Sequence, residues 1–264
     1  MRRRADVLLA ERGLFESRER AKAAILAGLV RVDGRVLTKA GEQVDVDAAI
    51  DVEPSQRYVS RGGHKLAGAL ASFGIDVTGV HAVDVGASTG GFTDCLLQAG
   101  AARVTAVDVG YGQLAWSLRQ DARVTVFERT NIRHVDPAAV GAPFDMAVVD
   151  VSFISLRTVL EHVLALLDPA DGILLALVKP QFEAGKGRVG KKGVVRDASV
   201  HAQVLQDTLR ALREAGLVVL GLTWSPLKGP EGNIEFWVWA AWTGTESAPD
   251  VAQVVRAAHE SVGE

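Results

Sequence analysis

From residue 64 onward, apolar runs alternate with amphipathic stretches. The runs at 81–85, 103–107, 123–127, 144–150, 172–179, 217–223 and 234–241 have strand length and little polar interruption. The intervals 64–74, 90–99, 112–119, 155–167 and 198–215 carry apolar residues at helical spacing. Strands that alternate with helices pair in parallel beneath helices on both faces. The pattern therefore predicts an α/β fold with a seven-stranded, mostly parallel sheet. The last two strands are separated by residues 225–233 without a helix, which predicts antiparallel neighbours. Trp237 and Trp239 share one face of the final strand, and that face is expected to be core. From Pro249 the tail again has a helical pattern.

Ahead of this domain the pattern changes. Residues 5–11 read as a short helix closing near Gly13, and Ser17 caps a second helix, 18–27, that stops at Gly28. Two short alternating segments then flank Asp33-Gly34, the strongest short hairpin signal. Residues 44–46 and 50–52 add strand-like pieces. This is a small α+β unit near the lower size limit for folding alone. The expected organisation is 1–55 for this unit, 56–63 as linker, 64–245 for the α/β domain and 246–264 as tail.

Charge separates the two parts. Net charge is only −3, but residues 1–65 hold 13 Lys/Arg against 10 Asp/Glu, and the remainder 16 against 22. A basic head on an acidic body suggests division of labour. The single cysteine, Cys95, excludes an internal disulfide and fits a reducing cytoplasm. It is expected in the core. The apolar run after Arg2-Arg3-Arg4 is too short for a signal peptide, and no run approaches the roughly 20 residues of a membrane span. The six histidines show no metal-ligand spacing, so no metal is expected.

The candidate chemistry begins at Val83–Phe92, where an apolar strand enters a glycine-rich turn that opens a helix. The turn departs from the dinucleotide fingerprint, because Ser88 stands where the second glycine admits a pyrophosphate. Asp84 precedes the turn and Asp108 ends the next strand. A carboxylate at that second strand end can accept both ribose hydroxyls of an adenosine, and one beside the turn suits a cationic ligand better than a phosphate. S-adenosylmethionine has the ribose and the positive charge and no phosphate. Lys65, Asp150, Lys179 and Glu235 fall at strand or helix ends on the same rim, where charged residues flanking apolar strands need a partner or a function.

Several of these features resemble known families. The helix around Ser17–Ala21 followed by Gly28-Leu29-Val30 and Val32-Asp33-Gly34 is similar to the RNA-binding domain first described in ribosomal protein S-four. The resemblance implies RNA contacts from Arg3, Arg4, Arg18, Arg20, Lys22 and Arg31. The turn resembles that of Rossmann-like methyltransferases, which implies that Asp84, Gly86, Ala87, Ser88, Gly90, Phe92, Asp108 and Val109 line S-adenosylmethionine. Asn131 and Ile132 would then face the adenine, and Tyr111 could stack there. The order Lys65, Asp150, Lys179, Glu235 resembles the tetrad of FtsJ/RrmJ-type ribose methyltransferases. With Asp150–Leu156 and Val178–Glu183, residues 2–243 resemble the TlyA/haemolysin A family. That implies a cytoplasmic enzyme methylating cytidine 2′-hydroxyls of ribosomal RNA, with ribosomal subunits as partners.

A ribose hydroxyl is a poor nucleophile until its proton is removed or polarised. Lys179 can serve as a neutral base or as a charged stabiliser of the alkoxide, and the sequence leaves both open. The basic loop at 184–196, with Lys186, Arg188, Lys191 and Lys192, could close over RNA phosphates. The rival readings are a non-catalytic RNA- or ribosome-binding protein, a membrane-active haemolysin and a small-molecule methyltransferase. An intact tetrad speaks against the first. The lack of an amphipathic membrane segment speaks against the second, and the basic head against the third.

Overall fold

The computed structural model describes residues 2–26, 28–52, 57–185 and 187–262. The chain divides into two units, Met1–Arg57 and Tyr58–Glu264. The boundary expected at residue 55 lies outside the described residues.

In the first unit, β1 (Arg2–Arg4), α1 (Ala5–Glu11) and α2 (Arg18–Leu26) are followed by β2 (Val30–Val32), β3 (Arg35–Val36), β4 (Gln43–Asp45) and β5 (Ile50–Val52). Ser17 caps α2, its Oγ accepting from Arg20 N at 3.2 Å. Asp33 and Gly34 both take positive φ in the turn between β2 and β3, as their sequence requires. Leu8, Leu9, Ile25, Val30 and Leu37 form a small core. The strand β1 was not expected. Three arginines have no strand signature, and they are extended because they pair antiparallel with β4, Arg2 opposite Asp45.

The second unit runs α3 (Gly62–Phe73), β6 (His81–Val85), α4 (Gly91–Gln98), β7 (Arg103–Val107), α5 (Trp116–Arg119), β8 (Val124–Phe127), α6 (Pro137–Val140), β9 (Met146–Val149), α7 (Leu156–Leu164) and β10 (Ile173–Val178). Then follow α8 (Pro180–Glu183), α9 (Ala198–Glu214), β11 (Val218–Trp224), β12 (Phe236–Ala241) and α10 (Val251–Val262). Its seven-stranded sheet has the order β11-β12-β10-β9-β6-β7-β8. Only β12 is antiparallel to its neighbours, β10 and β11.

Side chains alternate across the sheet. Val83, Val85, Ala147, Val149, Leu174 and Ala176 join the core that includes residues of α7, α9 and α10. Ala82, Met146, Val148 and Leu175 join the one that includes α3 and α4. Each fully buried Val or Leu contributes about 1.5–3 kcal/mol over its exposed state. Trp237 is fully buried against Phe92, Trp239 packs on Phe73, and Cys95 is buried. The tail helix α10 packs on α9, with His259 Nε2 2.9 Å from His201 Nδ1.

One expected helix is largely absent: of 112–119, only Trp116–Arg119 is helical. Carboxylates hold the preceding loop instead. Asp108 accepts from Gly110 N at 2.6 Å and Glu128 from Gly112 N at 2.8 Å. The strand order reverses between β6 and β9. Their carboxyl ends therefore flank the crevice where such sheets bind ligands.

Candidate active site

Two cavities open at that crevice. The larger, about 480 Å³, has apolar walls from Val85, Val107, Ile132, Val151 and Ile154. Its polar groups include Ser88, Asp108, Asn131 and Asp150. The smaller, about 290 Å³, is lined by Arg61, Lys65, Ala87, Phe92 and Pro230 among others, and shares Gly86, Ser88 and Asp150 with the first.

The turn between β6 and α4 is set by its backbone. Ser88, at the position of the missing glycine, takes a left-handed φ of 49°. Its N–H donates to Asp108 Oδ2 at 2.8 Å, so the acidic strand end holds the turn in place. Gly86 has φ 90°, and a Cβ there would lie 2.5 Å from the Asp150 carbonyl oxygen. Only glycine fits that approach of β6 to β9.

Asp84 does not reach either cavity. It is fully buried, accepting from Thr93 N at 2.9 Å and Thr93 Oγ1 at 2.7 Å. Burial, aided by the charges of Asp150 and Asp108, pushes its carboxyl up to about 7 against the pull of Thr93. Its contact is with α4, because the side chain of a strand residue two before the turn points into the sheet–helix layer. Gly90 likewise packs on Leu114 and Leu118 rather than lining a cavity. Val109 lines the larger cavity but is mostly exposed. Tyr111 is exposed outside it, with the Arg129 guanidinium 4.1 Å from its ring centre.

The four charged rim residues come together as two ion pairs. Lys65, from the first turn of α3, donates to Glu235 Oε2 at 2.6 Å, and both side chains are buried. Lys179, at the end of β10, sits 2.5 Å from Asp150 Oδ1 and donates to Ser152 Oγ at 2.8 Å. Burial raises the Glu235 carboxyl. Lys65 and then Lys179 oppose that shift, and Asp150 adds to it. The two pairs thus interact electrostatically.

The basic residues of the first unit are partly committed. Arg4 and Arg18 both bind the buried Asp6, Arg4 through Nε and a terminal nitrogen at 3.1 and 3.0 Å and Arg18 at 3.3 Å. Arg3 pairs with Glu11. Arg20 and Lys22 are exposed on α2, and Arg31 is half-buried in β2. In the second unit Arg188 and Lys192 line a surface depression with Arg196. Lys186 and the Lys191 side chain lie outside the described residues.

A profile of FtsJ-like methyltransferases matches residues 58–242, and an S4 domain matches residues 3–50. The chain belongs to the FtsJ-like methyltransferase family. Within it the chain is similar to TlyA of Mycobacterium tuberculosis, a 16S/23S rRNA (cytidine-2′-O)-methyltransferase, at 48% identity over 100% of this chain and 98% of that one. YqxC of Bacillus subtilis, described as a candidate rRNA methyltransferase, is 50% identical over 99% and 95%. A solved structure of a candidate hemolysin from Streptococcus thermophilus superposes with a TM-score of 0.76 at 43% identity, covering 98% and 96%. These relatives place the chain in the TlyA/haemolysin A family. Among the described residues no helix is long and apolar enough to cross a membrane.

Other residues of this FtsJ-like site had no sequence signal strong enough to name them individually. Gln113 and Ser152 line the larger cavity; Thr130, which belongs with Asn131 and Ile132 to the segment expected at the adenine, lines it too. Phe153 lines it too, yet its ring is 92% exposed and its backbone is left-handed, with φ 63°. Such a conformation persists only where the surroundings over-determine it.

Proposed function

We propose that this protein transfers the methyl group of S-adenosylmethionine to the ribose 2′-hydroxyl of a cytidine in ribosomal RNA. The observation that carries the proposal is the junction of two cavities. One has apolar walls with a carboxylate, and the other is floored by Lys65; Asp150, paired with Lys179, belongs to both. The likeness to TlyA supports the same acceptor.

The larger cavity fits a nucleoside. Asp108 spends one lone pair per oxygen on Ser88 and Gly110, which leaves acceptor capacity for ribose hydroxyls. Ile132, Val107 and Ile154 supply apolar walls for a base, with Asn131 at the edge. Bound there, S-adenosylmethionine supplies an electrophilic methyl group on a sulfonium. The acceptor side is the work of the tetrad. Lys179, ion-paired with Asp150 and hydrogen-bonded to Ser152, places its amino group beside the oxygen that gains negative charge as it attacks the methyl carbon, the hydroxyl proton passing to solvent. This supports the stabiliser role over the neutral base. Glu235 fixes Lys65, and their mutual neutralisation lets both side chains be buried beside the smaller cavity. Phe153 offers an exposed aromatic face on which the acceptor base can stack.

The first unit supplies RNA affinity. Arg18, Arg20 and Lys22 project from α2, and Asp6 holds Arg4 and Arg18 close together. Ribosomal RNA as substrate places the protein in the cytoplasm. The test is nucleoside mass spectrometry of unmodified ribosomal subunits after incubation with the protein and S-adenosylmethionine. New 2′-O-methylcytidine is expected. A base-methylated nucleoside, or no new product, would refute the proposal.

A further inference from the structure

The loop 150–155 carries Asp150, Ser152 and Phe153, yet has no regular structure of its own. Contacts at its start, middle and end lace it to Lys179 and the single turn α8 that follows. At its start, Lys179 holds Asp150 and Ser152. In the middle, the Phe153 and Phe182 rings lie 5.3 Å apart. At its end, the buried Glu183 carboxylate accepts from Ser155 Oγ and from Leu156 N, each at 2.5 Å. Arg157 Nε adds a charge contact at 3.5 Å. Both Glu183 oxygens are therefore engaged, each by a different donor on the loop's far anchor. Charge-assisted bonds of this kind are about twice as strong as neutral ones.

We infer that Glu183 is a positioning residue for methyl transfer: it clamps the end of the 150–155 loop so that Ser152 and Phe153 stay in register with Lys179. The inference rests on the tetrad reading above. Glu183 lines neither cavity and has no path to a reacting atom. Its effect passes through the loop. Without the clamp, the strained Phe153 backbone loses one of the contacts that hold it. Displacement of a catalytic constellation by about 1 Å can cost about 100-fold in rate.

Glutamine at 183 keeps an acceptor for Leu156 N and a polar group that Ser155 can meet by rotating its hydroxyl. Alanine keeps neither. Two readouts test this: single-turnover methyl transfer at saturating subunits and cofactor, and hydrogen exchange of the 150–156 peptide. Glu183→Ala is expected to slow transfer about 10- to 100-fold. It should accelerate exchange in 150–156 and leave exchange in β6 and β10 unchanged. Glu183→Gln is expected within about threefold of wild type. Ser155→Ala removes the bond to Glu183 Oε2 together with the Oγ cap on Arg157 N and leaves Glu183 itself in place; it should give an intermediate result, which keeps the test open if Glu183→Ala does not fold. The inference is overturned if Glu183→Ala, or Ser155→Ala in its place, transfers at the wild-type rate. It is also overturned if transfer slows while 150–156 exchange is unchanged, or if glutamine is as slow as alanine. Absence of transfer by the wild type would instead refute the proposed function, and the exchange readout would still report on the clamp.

Discussion

Lys65 Nζ and Glu235 Oε2 lie 2.6 Å apart although 170 positions separate the two residues in the chain. The pair ties the helix before the first sheet strand to the start of the antiparallel strand β12. Both side chains are almost fully buried. Removing one partner leaves a buried charge unpaired.

Lys65→Ala should therefore destabilise the protein by about 3–5 kcal/mol, read from urea unfolding. Replacing both residues, as in Lys65→Met with Glu235→Leu, should restore most of that stability because the desolvation cost disappears with the charges. Methyl transfer should stay lost in the double variant. Recovery of activity along with stability would mean that the pair is structural only.

Gly86 meets the Asp150 carbonyl where β6 and β9 part. Gly86→Ala places a Cβ against backbone at a φ of 90°, so the turn must move. Calorimetric titration with S-adenosylmethionine should show at least about tenfold weaker binding. Unchanged affinity would place the cofactor elsewhere.

Asp84 gives a pH signature. Its carboxyl sits at about 7 in the folded chain against an ordinary 3.8. Between those values the folded state binds more protons than the unfolded one, so this group makes stability fall as pH rises from about 4 to about 7. The full span corresponds to about 4 kcal/mol. Asp84→Asn keeps an acceptor for Thr93 and removes the titration. Its stability advantage over wild type should grow across that window and level off above it, and parallel unfolding midpoints at every pH would contradict the assignment.

On α2, Arg18 combines a half-exposed guanidinium with an anchor on Asp6. Arg18→Ala should weaken binding to ribosomal RNA at all salt concentrations and reduce the log–log salt slope by about 0.7–0.9, the value of one phosphate contact. Cofactor affinity should not change. Filter binding across a salt series measures both, and an unchanged slope would remove Arg18 from the RNA surface.

The parts legible in the sequence were those written in local patterns. The alternation after residue 64 specifies strand order along the chain, and Asp33-Gly34 specifies its turn without any tertiary information. The meeting of Lys65, Asp150, Lys179 and Glu235 was legible because charged residues at the ends of apolar strands and helices stand out. What escaped depends on distant partners. Arg2–Arg4 is a strand only because β4 lies beside it. Residues 112–115 fail to be helical because Glu128, just past the end of the strand that follows, takes the Gly112 amide. The contact of Asp84 with Thr93 depends on where α4 packs against β6, which no local pattern specifies. The left-handed Phe153 has no local signal, and its ring partner, Phe182 of α8, lies 29 positions away in the chain.

A role of Lys179, held by Asp150, in methyl transfer to ribosomal RNA is read from labelled methyl transfer from S-adenosylmethionine to intact ribosomal subunits, comparing wild type with Lys179→Ala and measuring cofactor affinity on the same preparations. Wild type should label the subunits, Lys179→Ala at least about 100-fold more slowly, with cofactor affinity within about threefold, because Lys179 does not line the larger cavity. Labelling by Lys179→Ala at the wild-type rate, or none by wild type, would contradict that role.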